Sequence, residues 1–127
     1  MSEVNKSNKT KWIIISAISG CTAVAIGAFG AHGLKKVIAE PMLEVYKTGV
    51  LYQFIHTIVL LAIALTDRIK GNIASSFFVA GIILFSFSLY IYSITGIKII
   101  AMITPLGGVS FMIGWLMIIY EAVKKSN

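Results

Sequence analysis

Several side chains that can hydrogen-bond or carry a proton lie inside otherwise apolar stretches of the sequence. Tyr52, Gln53 and His56 are three or four residues apart, which places them on one face of a helix. Ser86 and Tyr90 have the same spacing in a later apolar stretch. Polar groups are costly to leave unpaired in hydrocarbon, and a histidine there is a functional candidate by default. These five residues therefore predict a polar pocket, with His32 at its rim.

The chemistry that such a pocket offers is binding or proton transfer. The apolar stretches contain no Asp or Glu, and no nucleophile is spaced with a base and an orienting partner. We therefore expect a non-enzymatic protein without a cofactor. Its ligand would be a small solute, a lipid or other amphipathic molecule, a partner membrane protein, or a proton.

Three other interpretations remain open. Gln53 and His56 can simply hydrogen-bond a neighbouring helix, while tyrosines near helix ends form an ordinary aromatic belt. A small transporter or channel subunit could use His56 and Gln53 along its path, and four helices would then require an oligomer. His32 and His56 could also ligate a haem or a metal, although no carboxylate or cysteine accompanies them.

Composition indicates an integral membrane protein. Of 127 residues, 57% are hydrophobic and 13% are charged, so a soluble domain could not bury the apolar surface. The net charge of +6 does not indicate nucleic-acid binding, because the basic residues lie in short breaks between apolar runs. Four runs are long enough to approach or cross a hydrocarbon core of about 30 Å. The predicted spans are 12–34, 49–66, 73–95 and 99–120. Pro41 suits a helix start, so an amphipathic helical segment is expected from there into the second span.

These spans predict an all-α, up-down antiparallel bundle of four transmembrane helices. Residues 12–121 form its single membrane domain, between a disordered tail at 1–11 and a second tail at 122–127. Seven Lys and Arg residues lie on the side of the two termini and four on the other. Both termini are therefore expected in the cytoplasm, in a multi-pass protein of the bacterial inner (plasma) membrane. That topology places the polar pocket in the outer half of the bilayer.

Small residues mark predicted helix contacts. The expected packing positions are Gly20, Gly27, Gly30, Gly107 and Gly108. Such faces also allow a homo-oligomer in the lipid bilayer. Pro105 must either kink the fourth helix or mark its true beginning. Residues 18–21 resemble a lipoprotein cleavage site at Cys21, but the apolar core before Cys21 is short, so an uncleaved helix is expected.

Several motifs occur together along the chain. They are GAFGAHGL at 27–34, YQFIH at 52–56, SLY at 88–90, TPLGGVSF at 104–111 and GW at 114–115. In this order they resemble the small four-span bacterial membrane family catalogued as domain of unknown function 423, or uncharacterised protein family 0382. The resemblance covers about residues 14–120. It implies the fold and the membrane location, and no biochemical activity.

Overall fold

The computed structural model describes residues 2–127 and contains helices but no strand over that range. The four long helices are α1 (Glu3–His32), α2 (Glu40–Leu65), α3 (Asn72–Thr95) and α4 (Thr104–Ser126). Each is long and apolar enough to cross a membrane, α4 together with the short helix Lys98–Ala101 before it. The predicted all-α membrane fold is confirmed.

The first helix begins earlier than the sequence predicted. The Ser2 hydroxyl accepts a hydrogen bond from the Asn5 backbone N–H at 3.3 Å and so caps α1. Glu3 follows in the first turn, where a negative charge favours the positive end of the helix dipole. Residues 3–11, expected as a disordered tail, are therefore the first turns of α1.

The second helix begins at Glu40, where Pro41 predicted a helix start, and so extends beyond the span expected at 49–66. Pro41 lies in its first turn, where a missing N–H removes no helical hydrogen bond. Leu43 and Tyr46 are buried in these first turns and belong to one apolar cluster with Tyr90 of α3. The amphipathic segment expected before the membrane span is therefore continuous with it.

Glycines at both ends bound the third helix. Gly71 and Gly96 have φ values of 70° and 69°, a left-handed conformation that glycine adopts without a Cβ clash. Between them α3 is α-helical at Asn72–Gly81 and Ser88–Thr95 and π-helical at Ile82–Phe87. Pro105 lies in the first turn of α4, so it marks the beginning of that helix and does not kink its interior.

The helices pack in the order of the chain. α1 lies along α2, α2 along α3, and α3 along α4, with an up-down course. Over residues 2–127, α1 and α4 do not pack closely along each other, and we call the boundary between them the α1–α4 seam. The larger apolar core, around Leu60 and Phe78, lies between α2, α3 and α4, and Trp12 of α1 closes one end of it.

Both ends of the chain meet the loop between α2 and α3. Lys9 of α1 forms an ion pair with Asp67, and Lys125 of α4 donates to the Asp67 carbonyl oxygen at 2.5 Å. The Gly71 N–H donates to the Glu121 carboxylate of α4 at 2.8 Å. We call this part of the bundle the terminal end. The opposite part, which carries the α1–α2 and α3–α4 connections, is the far end.

The glycines of α1 face α2. A Cβ at Gly30 would overlap the Tyr46 ring, and one at Gly27 would lie 3.3 Å from a Val50 methyl group. A Cβ at Gly20 would be at an ordinary 3.5 Å from Thr57. Gly30 is therefore the position at which α1 and α2 require a glycine.

The two glycines of α4 have different surroundings. A Cβ at Gly107 would overlap the backbone nitrogen of Phe85, in the π-helical part of α3. A Cβ at Gly108 would lie 3.9 Å from the Phe85 ring, an ordinary contact. Close approach of the α3 and α4 backbones therefore depends on Gly107.

Candidate functional site

Gln53 is the centre of a hydrogen-bond network in the middle of the bundle. Its side chain is fully buried, and its Nε2 donates to the Ser19 carbonyl and to the Thr22 hydroxyl, both at 3.0 Å. Its Oε1 accepts from the Tyr90 hydroxyl at 2.7 Å. Both N–H donors and the carbonyl oxygen are thus paired, and Gln53 joins α2 to α1 and α3.

Other hydroxyl groups also bridge helices. The Ser19 and Thr57 hydroxyls are 2.6 Å apart, between α1 and α2. The Ser110 hydroxyl of α4 donates to the Phe77 carbonyl of α3 at 2.7 Å. In a membrane such contacts replace water as partners for polar groups and hold helices together.

His56 is held in one protonation state by its neighbours. The indole N–H of Trp115 can only donate, and it lies 3.2 Å from Nε2 of His56, which must therefore accept. The proton is then on Nδ1, which donates to the Tyr52 carbonyl at 2.8 Å. The neutral ring stacks on Phe111, with centroids 3.7 Å apart and planes 9° apart. Both ring nitrogens are paired, and the ring is 4% exposed.

This group, which we call the mid-bundle cluster (Gln53, His56, Tyr90 and their hydrogen-bond partners), lies near the midpoint of α2. Tyr52 is at that midpoint, and His56 is one turn closer to the terminal end.

The side chains of two other predicted pocket residues, Tyr52 and Ser86, do not join the hydrogen bonds of this cluster. Tyr52 is 37% exposed and packs its ring on Phe85 at 4.4 Å between centroids. Ser86 is fully buried in the π-helical segment, and its hydroxyl has no hydrogen-bond partner within residues 2–127. The pairing of Gln53 with Tyr90 is therefore the one contact of the predicted set that links two helices by a side-chain hydrogen bond.

His32 lies apart from His56. It is exposed at the end of α1, two residues after Gly30, which faces Tyr46 of α2. His56 is ten residues further along α2 than Tyr46, a distance of about 15 Å along the helix axis. The two rings cannot bind one metal ion, and residues 2–127 hold no group of three potential metal ligands.

An open groove lies at the terminal end, with a volume of about 640 Å³. Parts of α1, of the α2–α3 loop, and of α3 and α4 line it, so it lies where the α1–α4 seam reaches this end. Its lining residues are Asn5, Lys9, Asp67, Ile69, Lys70, Ile73, Met117, Tyr120, Glu121, Lys124 and Lys125. We call it the lysine groove, because it combines an apolar wall with four lysines.

Two of these lysines have partners within the protein. Lys9 pairs with the Asp67 carboxylate and also donates to the Thr66 carbonyl, at 3.1 Å. The hydrogen bond and the charge of Lys9 hold the pKa of Asp67 below its ordinary value. Lys125 donates to the main-chain carbonyl of Asp67.

The other two lysines have no carboxylate within 4 Å among residues 2–127. Lys124 lies over the ring of Tyr120, with its ammonium 5.9 Å from the ring centroid. Lys70 is in the loop before α3. The groove therefore carries positive charge that no acidic side chain balances by direct contact.

Sequence reasoning used these lysines to orient the helices and did not place them together. The available signal was the excess of basic residues on the side of the termini. It did not indicate that the helix ends enclose a groove, because that depends on α1 extending to Glu3 and on Lys9 reaching Asp67. Ser19 and Thr22 were also missed, although they are polar residues one turn apart in an apolar helix.

Comparison with known proteins extends the resemblance to nearly the whole chain. Residues 26–108 match the family described as "Protein of unknown function (DUF423)". The UPF0382 membrane protein YwdK of Bacillus subtilis is 48% identical over 118 residues, which are 89% of this chain and 96% of YwdK. A UPF0382 membrane protein of Haemophilus influenzae is 39% identical over 122 residues, 94% and 98% of the two chains.

A third relative is described by its location. The UPF0382 inner membrane protein YgdD of Escherichia coli K12 is 38% identical over 116 residues, 88% of each chain. No solved structure matches this chain. With four helices able to cross a membrane and relatives of this similarity, the chain belongs to the DUF423 (UPF0382) family and is a multi-pass protein of the plasma membrane.

Proposed function

We propose that this protein is a non-enzymatic membrane protein that binds an acidic amphipathic lipid in the lysine groove. The observation that carries the proposal is the juxtaposition, in one groove, of an apolar wall and lysines without carboxylate partners. Basic pockets between transmembrane helices are a recurrent way to bind anionic lipid headgroups. A lipid is one of the ligands expected from the sequence, and the proposed site is a different one.

The apolar part of the groove supports a lipid rather than a soluble anion. Ile73 of α3 and Met117 of α4 line the groove on the membrane side of the lysines. The α1–α4 seam is not closed by helix packing, so an acyl chain can reach these side chains sideways from the bilayer. Lys70 and Lys124 then meet the headgroup at the membrane surface.

The side of the membrane follows from the distribution of charge. Seven of the eleven Lys and Arg residues lie at the terminal end. By the positive-inside rule, both termini and the lysine groove face the cytoplasm. The lipid would therefore come from the inner leaflet.

The mid-bundle cluster supports a different role within the same protein. Gln53 and His56 have all their side-chain nitrogen and oxygen atoms paired within the bundle. We therefore assign the mid-bundle cluster to helix association and not to ligand binding.

Native mass spectrometry of the purified protein in detergent tests the proposal. The protein is mixed with phosphatidylglycerol or with phosphatidylcholine of the same acyl chains, and bound lipid is counted. We expect phosphatidylglycerol to be retained about tenfold better. The double variant Lys70→Gln/Lys124→Gln should reduce this preference to about twofold, because two lysine contacts to the membrane anion are lost.

The control is Lys36→Gln/Lys98→Gln, which removes the same charge from the far end. It should keep the preference of the unaltered protein. Equal retention of the two lipids by the unaltered protein, or equal losses in both double variants, would contradict a site in the lysine groove.

A further inference from the structure

One lysine of the lysine groove already has a carboxylate partner within the protein, the side chain of Asp67. The Asp67 carboxylate pairs with Lys9, whose side chain is only 22% exposed, while the Asp67 side chain is 80% exposed. Lys9 is also held by the Thr66 carbonyl at 3.1 Å. The ammonium of Lys9 is therefore held in the groove wall, and the carboxylate that neutralises it is the solvent-exposed partner of the pair.

The second carboxylate of the groove has a different task. Glu121 accepts a hydrogen bond from the Gly71 N–H, directly before the first turn of α3. It thus satisfies a backbone donor at a helix start, where negative charge is favourable. Asp67 makes no such backbone contact through its carboxylate, so its removal leaves the helix start intact.

Charge complementarity then indicates the ligand. The groove is lined by four lysines and two carboxylates, a net charge of +2 at neutral pH. A phosphate monoester carries between one and two negative charges at pH 7 and offers three acceptor oxygens. A monoester can contact Lys70 and Lys124 and still accept a hydrogen bond from Lys9. A singly charged phosphodiester satisfies these three lysines less well.

We infer that the ligand is a phospholipid with a phosphate-monoester headgroup, and that its phosphate takes the place of Asp67 as the partner of Lys9. This inference rests on the proposed lipid site. Asp67 is then a built-in competitor, which lowers the affinity of the groove for acidic lipids. The link between Lys125 and the Asp67 backbone persists in both states, because it uses the main-chain carbonyl.

The test measures lipid affinity in detergent for the unaltered protein and for Asp67→Asn. Phosphatidic acid, phosphatidylglycerol and phosphatidylcholine with identical acyl chains are the probes. We expect phosphatidic acid to bind best, and Asp67→Asn to tighten its binding about threefold, the range of an exposed ion pair. Lys9→Gln should weaken binding of phosphatidic acid, and Asp67→Asn should have no further effect in the Lys9→Gln background.

The matched control is Glu44→Gln at the far end. It removes one negative charge and also breaks an exposed ion pair, that of Glu44 with Lys47 at 2.7 Å. If Glu44→Gln tightens binding as much as Asp67→Asn, the effect is one of net charge and the competition is refuted. If acidic lipids bind through Lys70 and Lys124 but Asp67→Asn changes nothing, the competition fails and the lipid site stands. If no acidic lipid is preferred, both fail.

Inorganic phosphate distinguishes a lipid site from a site for the free anion. Ten millimolar phosphate should not displace phosphatidic acid, because it lacks the chain that contacts Ile73 and Met117. Complete displacement by phosphate would overturn the assignment to a lipid.

Discussion

The mid-bundle cluster and the lysine groove are both polar regions of an apolar protein, and they differ in how their polar groups are satisfied. Gln53 and His56 are buried and fully hydrogen-bonded by neighbouring helices. Lys70 and Lys124 line an open groove and have no carboxylate partner within residues 2–127. Gln53 and His56 are thus explained by their partners within the bundle, whereas Lys70 and Lys124 are the groups to which we assign a ligand.

The largest effect is expected where the centre of the bundle is most closely packed. Gly107→Ala should lower the free energy of unfolding by about 1–3 kcal/mol, because its Cβ would overlap the backbone of Phe85. An SDS titration followed by circular dichroism measures this. Gly108→Ala is the control, since its Cβ would be 3.9 Å from the nearest atom. Equal stability of the two variants would mean that the centre is loosely packed and could hold a ligand.

Replacing the centre of the network comes next. Gln53→Leu removes three hydrogen bonds, each of which is worth about 0.6 kcal/mol on average inside a membrane protein. We expect a loss of about 2 kcal/mol in the same titration. Tyr90→Phe should lose about 0.6 kcal/mol, and Tyr52→Phe, which lies outside this network, should lose less. A Gln53→Leu variant as stable as the unaltered protein would contradict the structural role assigned to the mid-bundle cluster.

His56→Phe separates structure from binding. The aromatic ring is kept against Phe111 while the hydrogen bonds with Trp115 and with the Tyr52 carbonyl are lost, so the cost should be about 1.2 kcal/mol. Retention of phosphatidylglycerol should not change. Loss of lipid binding with unchanged stability would transfer the ligand site from the lysine groove to His56.

The smallest effect concerns pH at the terminal end. Because Lys9 lowers the pKa of Asp67, their pair stabilises the fold fully above the ordinary value of about 3.8. This contribution disappears as the pH falls through the lowered pKa. The difference in Tm between the unaltered protein and Asp67→Asn should therefore be constant from pH 7 to pH 5 and shrink as the pH falls below 3.8. A difference that stays constant on acidification would show that the carboxylate charge contributes nothing.

The fold could be predicted because backbone N–H and C=O groups inside a bilayer need hydrogen-bond partners. In a long apolar run, a helix supplies these partners within the same segment. The start of α1 was predicted less well, since Ser2 caps this helix earlier than hydropathy alone indicates. The candidate site could not be predicted, because it depends on how helix ends far apart in sequence are aligned. Lys9 and Asp67 are 58 residues apart, and neither has a motif that connects it to the other.

The contact between Glu121 and the Gly71 N–H has a consequence for the order of assembly. The start of α3 has no side-chain cap of its own, and Glu121 provides the acceptor from the last turns of the chain. Glu121 is 50 residues beyond Gly71, so this acceptor is in place only once α4 has packed against α3. A chain that stops before Glu121 would lack both this cap and part of the lysine groove.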